Sequence, residues 1–197
     1  MDSPFDLLID SYLENNIGID AAFLSEKLSK GLQQNIMQLQ KDEMLTAAGI
    51  GNDSRRDTQQ KMRGDKIYWM DKAHDNIYEL EFLQLMDDFI ERLNSSCYTG
   101  INGSEFHYAV YEEGSSYKKH KDQFKNDSNR KYSLISYLNE DWLEEDGGQL
   151  LVYQNQSVQK ILPNSQTSVF FKSDEMEHEV TKANRPRMSI SGWLKRI

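Results

Sequence analysis

The chain is short of cysteine, basic charge and long apolar runs, and each shortage excludes a class of protein. Cys97 is the only cysteine among 197 residues, so no internal disulfide can form, as expected in a reducing compartment. The formal net charge of −9 disfavours nucleic acid and anionic membranes as partners, because phosphate binding needs clustered lysine and arginine. No apolar run approaches the roughly 20 residues that span a bilayer, and the acidic N-terminus is unlike a signal peptide. We therefore expect a soluble, cytoplasmic protein with no nucleic-acid or membrane partner.

The N-terminal half contains two patterns typical of amphipathic helices. Apolar residues recur every three or four positions from Asp20 to about Gln40, and Asp20 is the predicted N-cap. A similar stripe runs from about Ile77 to Leu93, where Asn76 and Glu79 form a predicted capping pair. Residues 46–65 are rich in glycine and polar residues without periodicity, which predicts a loop.

The C-terminal half is built of short strand patterns separated by turn residues. Alternation begins after Gly103, and further strands are predicted at 131–138, 149–153, 157–162, 167–171, 177–181 and 187–194. No helical crossovers separate these strands, so a sandwich or small barrel is favoured over a parallel sheet. A jelly roll of about eight strands fits the count, giving a mainly β fold with supporting α-helices.

Three residues in this half form a candidate metal site. His120 and Asp122 are two apart, so on a strand both side chains point to one face, and His178 follows much later. Two imidazoles and one carboxylate bind one face of an octahedral metal and leave positions open for chemistry. By itself the short motif is weak evidence, because a surface turn in which a histidine lies beside a salt-bridging aspartate gives the same sequence.

Arg187 is a candidate anion-binding residue. A buried guanidinium must be paired, and its planar fork matches the carboxylate of a dicarboxylate cosubstrate. The alternative is a solvent-exposed arginine in the turn Arg185-Pro186-Arg187.

Several motifs in order carry a family resemblance over roughly residues 63 to 194. They are Arg63-Gly64-Asp65-Lys66-Ile67-Tyr68-Trp69, Tyr111 with Tyr117, His120-Lys121-Asp122, Tyr137-Leu138-Asn139-Glu140-Asp141-Trp142, Gly147-Gly148-Gln149-Leu150, His178-Glu179-Val180, and Arg187 through Trp193. The chain resembles the 2-oxoglutarate and Fe(II)-dependent oxygenases of the prolyl 4-hydroxylase type. Within them it is similar to the hypoxia-inducible-factor prolyl hydroxylases and their bacterial counterparts.

The resemblance implies a double-stranded β-helix, or jelly roll, braced by N-terminal helices. It implies one oxygenase domain over 1–197, with a helical extension over 1–62 and a catalytic core over 63–197. Each site residue also receives a role by resemblance. Iron ligands are His120, Asp122 and His178; 2-oxoglutarate contacts are Arg187, Tyr137 and Ser191; Tyr111 lines the iron pocket and Trp193 the substrate side. Plain core packing remains the alternative for both tyrosines and for the tryptophan.

The implied activity is hydroxylation of a C–H bond with Fe(II), 2-oxoglutarate and O2, and with ascorbate as reductant. The resemblance favours a prolyl residue of a protein substrate, with a translation-related protein as one candidate, and leaves the oligomeric state open. A small-molecule hydroxylase and a non-catalytic metal-binding sensor are the alternatives. The connection Met70–Asp75 is shorter than the substrate-covering loop of the relatives, so peptide specificity does not transfer. Basic residues around the iron motif either steer an acidic partner or form a solvated face; they are Lys118, Lys119, Lys121, Lys125, Arg130 and Lys131.

Overall fold

The structure is a computed structural model that describes residues 4–48, 63–123, 128–154 and 157–197. Most of the predicted loop at 46–65, and Lys125, lie outside the described residues. The predicted domain division at residue 62 also falls there and stays a prediction. None of the helices in the described ranges is long and apolar enough to cross a membrane.

Three α-helices and eleven strands form within the described residues. The helices are α1 (Asp6–Asn15), α2 (Glu26–Lys41) and α3 (Ile77–Cys97), with a short 3-10 helix at Glu144–Asp146. The first strands are β1 (Ile17–Asp20), β2 (Thr46–Ala47), β3 (Asp65–Trp69), β4 (Gly103–Tyr111), β5 (Tyr117–His120) and β6 (Arg130–Tyr137). The last are β7 (Leu150–Gln154), β8 (Ser157–Ile161), β9 (Ser168–Lys172), β10 (Glu177–Val180) and β11 (Arg187–Lys195).

The strands form two antiparallel sheets that make the jelly roll. The larger sheet has the order β1-β9-β6-β11-β4-β3-β2, and the smaller has the order β5-β10-β7-β8. Strands β4 to β11 divide four and four between the sheets, which confirms the predicted eight-stranded jelly roll. Strands β1, β2 and β3 extend the larger sheet on both sides.

The larger sheet is buried on both faces because helices cover its outer face. Along β4, Phe106, Tyr108 and Val110 pack with the helices, while Ala109 and Tyr111 pack in the core between the sheets. Strand residues therefore alternate between two apolar environments, where an exposed sheet would alternate apolar with polar. The N-terminal helices brace the jelly roll, as predicted.

The helix boundaries differ from the prediction at α2. The residues from Ile17 to Asp20 form strand β1, and the N-cap of α2 is Ser25, whose side chain accepts a hydrogen bond from the Leu28 N–H. The prediction of Asp20 as the cap is therefore wrong. Asp20 instead accepts from the Ala22 N–H at 2.8 Å, an Asx turn that links strand to helix. Helix α1 has no counterpart in the prediction.

Helix α3 begins as predicted but its capping pair forms only in part. The Asn76 side chain accepts from the backbone N–H groups of Tyr78 and Glu79. The Glu79 carboxylate does not return to the Asn76 backbone; it accepts from Asn35 at 2.7 Å and lies 3.1 Å from His74 Nδ1. Glu79 thereby joins α3 to α2 across their packed faces.

Candidate metal centre and cosubstrate pocket

The three predicted metal ligands meet at one end of the smaller sheet. His178 on β10 lies opposite His120 on β5 in the strand register. Strand β5 ends at His120, so Asp122 lies in the bend that follows and not on the strand as predicted. The convergence is nevertheless close, because one ligand atom from each residue lies within 4.8 Å of the others. This group can hold a metal ion.

Backbone carbonyls hold both imidazoles with the same nitrogen turned inward. His120 Nδ1 lies 2.7 Å from the Lys118 carbonyl oxygen, and His178 Nδ1 lies 3.2 Å from the Met176 carbonyl oxygen. Because a carbonyl oxygen only accepts, each Nδ1 carries the proton and each Nε2 is left with a lone pair. The Nε2 atoms lie 3.4 and 3.7 Å from Asp122 Oδ1, so all three lone-pair donors face one point. Such outer hydrogen bonds usually orient metal-binding histidines.

The surroundings of the centre favour an ionised Asp122 carboxylate and a neutral His178 imidazole. Burial alone would raise the pKa of Asp122, but positive charge on His178 and His120 and the hydrogen bond from Ser133 outweigh it and hold that pKa well below its ordinary value. When the imidazoles are neutral, a bound metal ion would supply this positive charge. Burial lowers the pKa of His178, although Asp122 opposes this shift. Both directions leave the residues in the protonation states that bind a metal.

Ser133 fixes the carboxylate, and its removal is expected to weaken metal binding. Its buried hydroxyl donates to Asp122 Oδ2 at 2.7 Å and lies 2.9 Å from the Ser173 hydroxyl. We expect Ser133→Ala to lower Mn(II) affinity by about 10- to 100-fold, the usual effect of losing an outer hydrogen bond to a metal ligand. The measurement is a Mn(II) titration followed by electron paramagnetic resonance.

Ser136→Ala is the matched control for this prediction. Ser136 lies on the same strand and makes a buried 2.6 Å hydrogen bond with Ser168, but it does not touch the ligand group. Its loss is expected to leave Mn(II) affinity unchanged. An equal decrease in both variants would assign the effect to strand stability and not to Asp122.

Arg187 is buried at the start of β11, and the exposed-turn alternative is therefore wrong. Its side chain is 1% exposed, and its Nε donates to the Gly148 carbonyl oxygen at 2.8 Å. Gly148 has φ +62°, and a Cβ there would lie 3.0 Å from the Arg187 Cδ, so glycine leaves room for the guanidinium. Among the described residues no carboxylate forms an ion pair with Arg187. A buried cation of this kind calls for an anionic ligand.

Two tyrosines enclose the guanidinium. The Arg187 Cζ lies 5.0 Å from the Tyr111 ring centroid and 5.1 Å from that of Tyr137. The Tyr137 hydroxyl is buried without a hydrogen-bond partner within the described chain. Burial raises the pKa of Tyr137 to about 12, opposed by Arg187, so the hydroxyl keeps its proton and is free to donate. The Arg187 guanidinium and the Tyr137 hydroxyl are thus neighbouring hydrogen-bond donors, and one carboxylate is an acceptor that fits both.

The remaining predicted residues lie along the same strand as Arg187. Ser191 and Trp193 line one cavity together with Tyr111, Arg187 and the three candidate metal ligands. Trp193 is covered on one face by Arg130, whose Cζ lies 3.4 Å from the ring centroid. The structure thus places every predicted site residue but Tyr137 on the cavity wall, and the Tyr137 ring contacts the cavity residue Arg187, with its centroid 5.1 Å from Arg187 Cζ.

The cavity has further wall residues that the site prediction did not include. Arg63 is held by Asp65 through two hydrogen bonds of 2.6 and 2.8 Å and lies over the Tyr117 ring. The Tyr117 ring stacks on His120 with ring centroids 3.6 Å apart. His107 is a buried imidazole on β4. In the sequence, His107 stands out because it is the only titratable imidazole in a run of apolar and aromatic residues, from Phe106 to Tyr111.

The basic residues near the iron motif are partly neutralised by their neighbours. Lys119 pairs with Glu177 at 2.9 Å and lies over the Tyr153 ring, and Arg130 pairs with Glu105 at 2.8 Å. These contacts favour the solvated-face alternative over a free cationic patch.

The cavity suits Fe(II) with 2-oxoglutarate by its donor set. Two imidazole nitrogens and a carboxylate on one side of a metal are the ligands of non-haem iron oxygenases. The Arg187 guanidinium, which has no carboxylate partner among the described residues, and the Tyr137 hydroxyl, which has no hydrogen-bond partner there, match a distal carboxylate. Ile135, Leu150 and Val180 also line the cavity and match an aliphatic chain.

Comparison with known proteins gives the same class. Residues 106–195 match the model of the 2OG-Fe(II) oxygenase superfamily. The structure is similar to a prolyl-4-hydroxylase from Pseudomonas putida, with a TM-score of 0.89 and 29% identity over 98% of this chain and 99% of that chain. It is also similar to a Trichoplax adhaerens prolyl hydroxylase in complex with a hypoxia inducible factor peptide fragment, with a TM-score of 0.84 and 25% identity over 97% and 88%.

A more distant structure shows how widely the fold is used. The epimerase SnoN, in complex with Fe3+, alpha ketoglutarate and nogalamycin RO, has a TM-score of 0.67 and 12% identity over 98% of this chain and 84% of that chain. At this identity only the fold is shared.

Residues 106–195 thus resemble the 2OG-Fe(II) oxygenase superfamily, a class that uses Fe(II) and 2-oxoglutarate with O2. Its resemblance to bacterial and hypoxia-inducible-factor-type prolyl 4-hydroxylases, predicted from the sequence motifs, is confirmed.

Proposed function

We propose that this protein hydroxylates a prolyl residue of a protein substrate with Fe(II), 2-oxoglutarate and O2, and releases succinate and CO2. The single observation that carries the proposal is the shared cavity. The candidate His-Asp-His metal site and a buried arginine that has no anionic partner among the described residues line the same cavity. A metal site alone is compatible with many functions. The additional anion-binding residue, Arg187, restricts the cosubstrate to an acid with a carboxylate remote from the metal.

Each residue has a distinct role in this proposal. His120, Asp122 and His178 hold the iron, which supplies the oxygen-activating chemistry when bound. Arg187 and Tyr137 bind the distal carboxylate and so orient the cosubstrate by charge-assisted hydrogen bonds, each contributing about 1.5–3 kcal/mol. Ser191 and Tyr111 line the space between these groups, and the apolar walls exclude water from the reacting end. Trp193 lies on the side that receives the substrate.

The prolyl substrate is supported by the two similar structures. One is a prolyl-4-hydroxylase and the other a prolyl hydroxylase bound to a peptide fragment, and both are matched over nearly the whole chain. The wall of the cavity is rich in aromatic rings, to which Tyr117 and Trp193 contribute. A pyrrolidine ring is apolar and compact, and aromatic faces bind such groups well. We further propose a cytoplasmic location from the single cysteine, ascorbate as reductant, and a translation-related protein as a candidate substrate.

The test is proteomic. A lysate of the host, from a strain lacking this protein, is incubated with the purified enzyme, Fe(II), 2-oxoglutarate and ascorbate. Mass spectrometry is expected to find a peptide with one added oxygen on proline, absent when 2-oxoglutarate is omitted. The His178→Ala variant serves as the matched control for iron-dependent oxidation in the lysate.

The outcome separates the proposal from its alternatives. Oxygen added only to free metabolites would identify a small-molecule hydroxylase and contradict the protein substrate. Metal binding without succinate formation under any condition would favour a non-catalytic sensor. Succinate formed without any oxidised proline or metabolite would leave the oxygenase domain intact and remove the prolyl substrate.

A further inference from the structure

Two buried nitrogen atoms on one wall of the cavity have no hydrogen-bond partner within the described chain. They are Nδ1 of His107 and Nε1 of Trp193, in side chains that are 1% and 7% exposed. The two rings are neighbours, with centroids 5.4 Å apart, and both line the cavity that holds the candidate metal ligands. Buried donors are nearly always satisfied in folded proteins, so an unpaired pair in side chains that line a cavity calls for a partner that is not part of the described chain, either water or a ligand.

The contacts of His107 determine which of its nitrogens carries the proton. Its Nε2 lies 3.4 Å from the Arg63 guanidinium, which can only donate. Nε2 therefore accepts, and the proton resides on Nδ1. Burial, reinforced by the charge of Arg63, lowers the pKa of His107 to about 3, so the ring stays neutral. His107 is thus a neutral N–H donor.

The position of His107 separates it from the cosubstrate. Arg187 lies opposite Tyr111 in the register of β11 and β4, and His107 is four residues further along β4, opposite Ser191. Four residues of strand span about 13 Å. A five-carbon dicarboxylate held at Arg187 is shorter than this span. His107 therefore lies beyond the site of the distal carboxylate, at the end of the wall that it shares with Trp193 and Arg63, and this end is available to the substrate.

The charges on this wall define the chemistry of an acceptor for His107. Arg63 is paired with Asp65 at 2.6 Å, and Arg130 with Glu105 at 2.8 Å, so both cations of the wall already have carboxylate partners. The Trp69 ring lies 4.8 Å from His107, which makes the surroundings aromatic. This wall suits a neutral, largely apolar group that accepts hydrogen bonds and donates none. A prolyl residue within a peptide has this property, because it lacks the backbone N–H and keeps the carbonyl.

Resting on the proposed function, we propose that His107 determines substrate specificity by donating from Nδ1 to the prolyl residue's own carbonyl oxygen, the one attached to its Cα, with Trp193 Nε1 as the second donor. His107 is a specificity-determining residue and takes no part in the oxidation itself.

The test uses nuclear magnetic resonance of the protein loaded with Zn(II), a diamagnetic replacement for iron, and 2-oxoglutarate. The probes are N-acetyl-proline methylamide and the matching N-acetyl-2-methylpyrrolidine, which lacks the second carbonyl. We expect the first probe to shift the Nδ1–H signal of His107 and the indole signal of Trp193. The indole of Trp142 is the internal control, because it already donates to the Gly147 carbonyl at 2.9 Å.

Two variants distinguish the effect of the His107 N–H donor from the effect of its aromatic ring. His107→Phe keeps an aromatic ring without an N–H donor, and we expect it to bind N-acetyl-proline methylamide about five- to tenfold more weakly than the wild type. His107→Asn places an amide N–H near the position of Nδ1 and is expected to bind within about twofold of the wild type. Equal shifts from both probes in the wild type would overturn the proposal, and so would unchanged binding in His107→Phe. The wild-type comparison stands even where a variant fails to fold.

The result is distinguishable from a failure of the proposed function. If the carbonyl probe behaves as expected but no proline is oxidised in the lysate, the donor pair stands and the prolyl reaction fails. If proline is oxidised but neither probe shifts the His107 signal, the reaction stands and His107 loses its role.

Discussion

His178→Ala is expected to abolish succinate formation from 2-oxoglutarate and Fe(II), with activity no higher than that of iron alone. We expect this because the candidate metal site has three protein ligands, and the loss of one leaves two. His178 supplies one of three candidate donors, and its Nε2 is turned toward Asp122 by the hydrogen bond between Nδ1 and the Met176 carbonyl. A site reduced to one imidazole and one carboxylate loses the facial geometry that retains iron. Succinate is measured by proton nuclear magnetic resonance.

Thermal unfolding provides a second readout of the same variant. A metal that binds only the folded state raises the midpoint of unfolding, so Mn(II) should stabilise the wild type and leave His178→Ala unchanged. His74→Gln is the control, because His74 lies outside the cavity beside Glu79 and should keep both the metal response and turnover. Iron affinity in His178→Ala equal to that of the wild type would remove this residue from the ligand set.

Arg187→Met is expected to raise the KM for 2-oxoglutarate by roughly 10- to 150-fold or more, from the loss of about 1.5–3 kcal/mol per charge-assisted hydrogen bond. The folded state without ligand should not be destabilised to a similar degree. Among described residues, the buried guanidinium has no anionic partner, and an apolar side chain of similar length removes the cost of burying that charge. The two measurements are initial rates against 2-oxoglutarate concentration and the unfolding midpoint without ligand.

The neighbouring arginine is a matched control for this prediction. Arg185 is half-buried, pairs with Asp146 at 3.0 Å and lies over the Trp142 ring, away from the cavity wall. Arg185→Met should leave the KM for 2-oxoglutarate near that of the wild type. A large loss of stability in Arg187→Met, with an unchanged KM in the remaining folded protein, would assign Arg187 to the core.

The strands of the jelly roll could be predicted because each has a local signal. Six strands from 131 to 194 were predicted within one or two residues of the observed bounds, as turn residues separate short β-branched and aromatic runs. The N-terminal region could not be predicted as well. Strand β1 exists because Ile17–Asp20 pairs with β9, more than 140 residues away, and a contact so distant leaves no periodicity in four residues.

Gly31 in α2 also shows what the sequence alone cannot predict. A glycine inside a helix is usually destabilising, but a Cβ at Gly31 would lie 2.2 Å from the Tyr78 ring, so glycine is what permits α2 to pack on α3. Tertiary packing overrides helix propensity at such a position. The cost of glycine in a helix can be read locally, whereas its benefit depends on a partner helix.

The sequence by itself determined the ligand types, their order and the class of chemistry, because imidazole, carboxylate and guanidinium have fixed donor properties. Only the tertiary structure decided that Arg187 is buried without a carboxylate partner in the described chain and that the Tyr137 hydroxyl is unpaired beside it. It also decided that His107 lines the cavity as a buried, neutral imidazole. Burial and hydrogen-bond satisfaction arise from strands that are distant in sequence, and two sheets must close before either property exists.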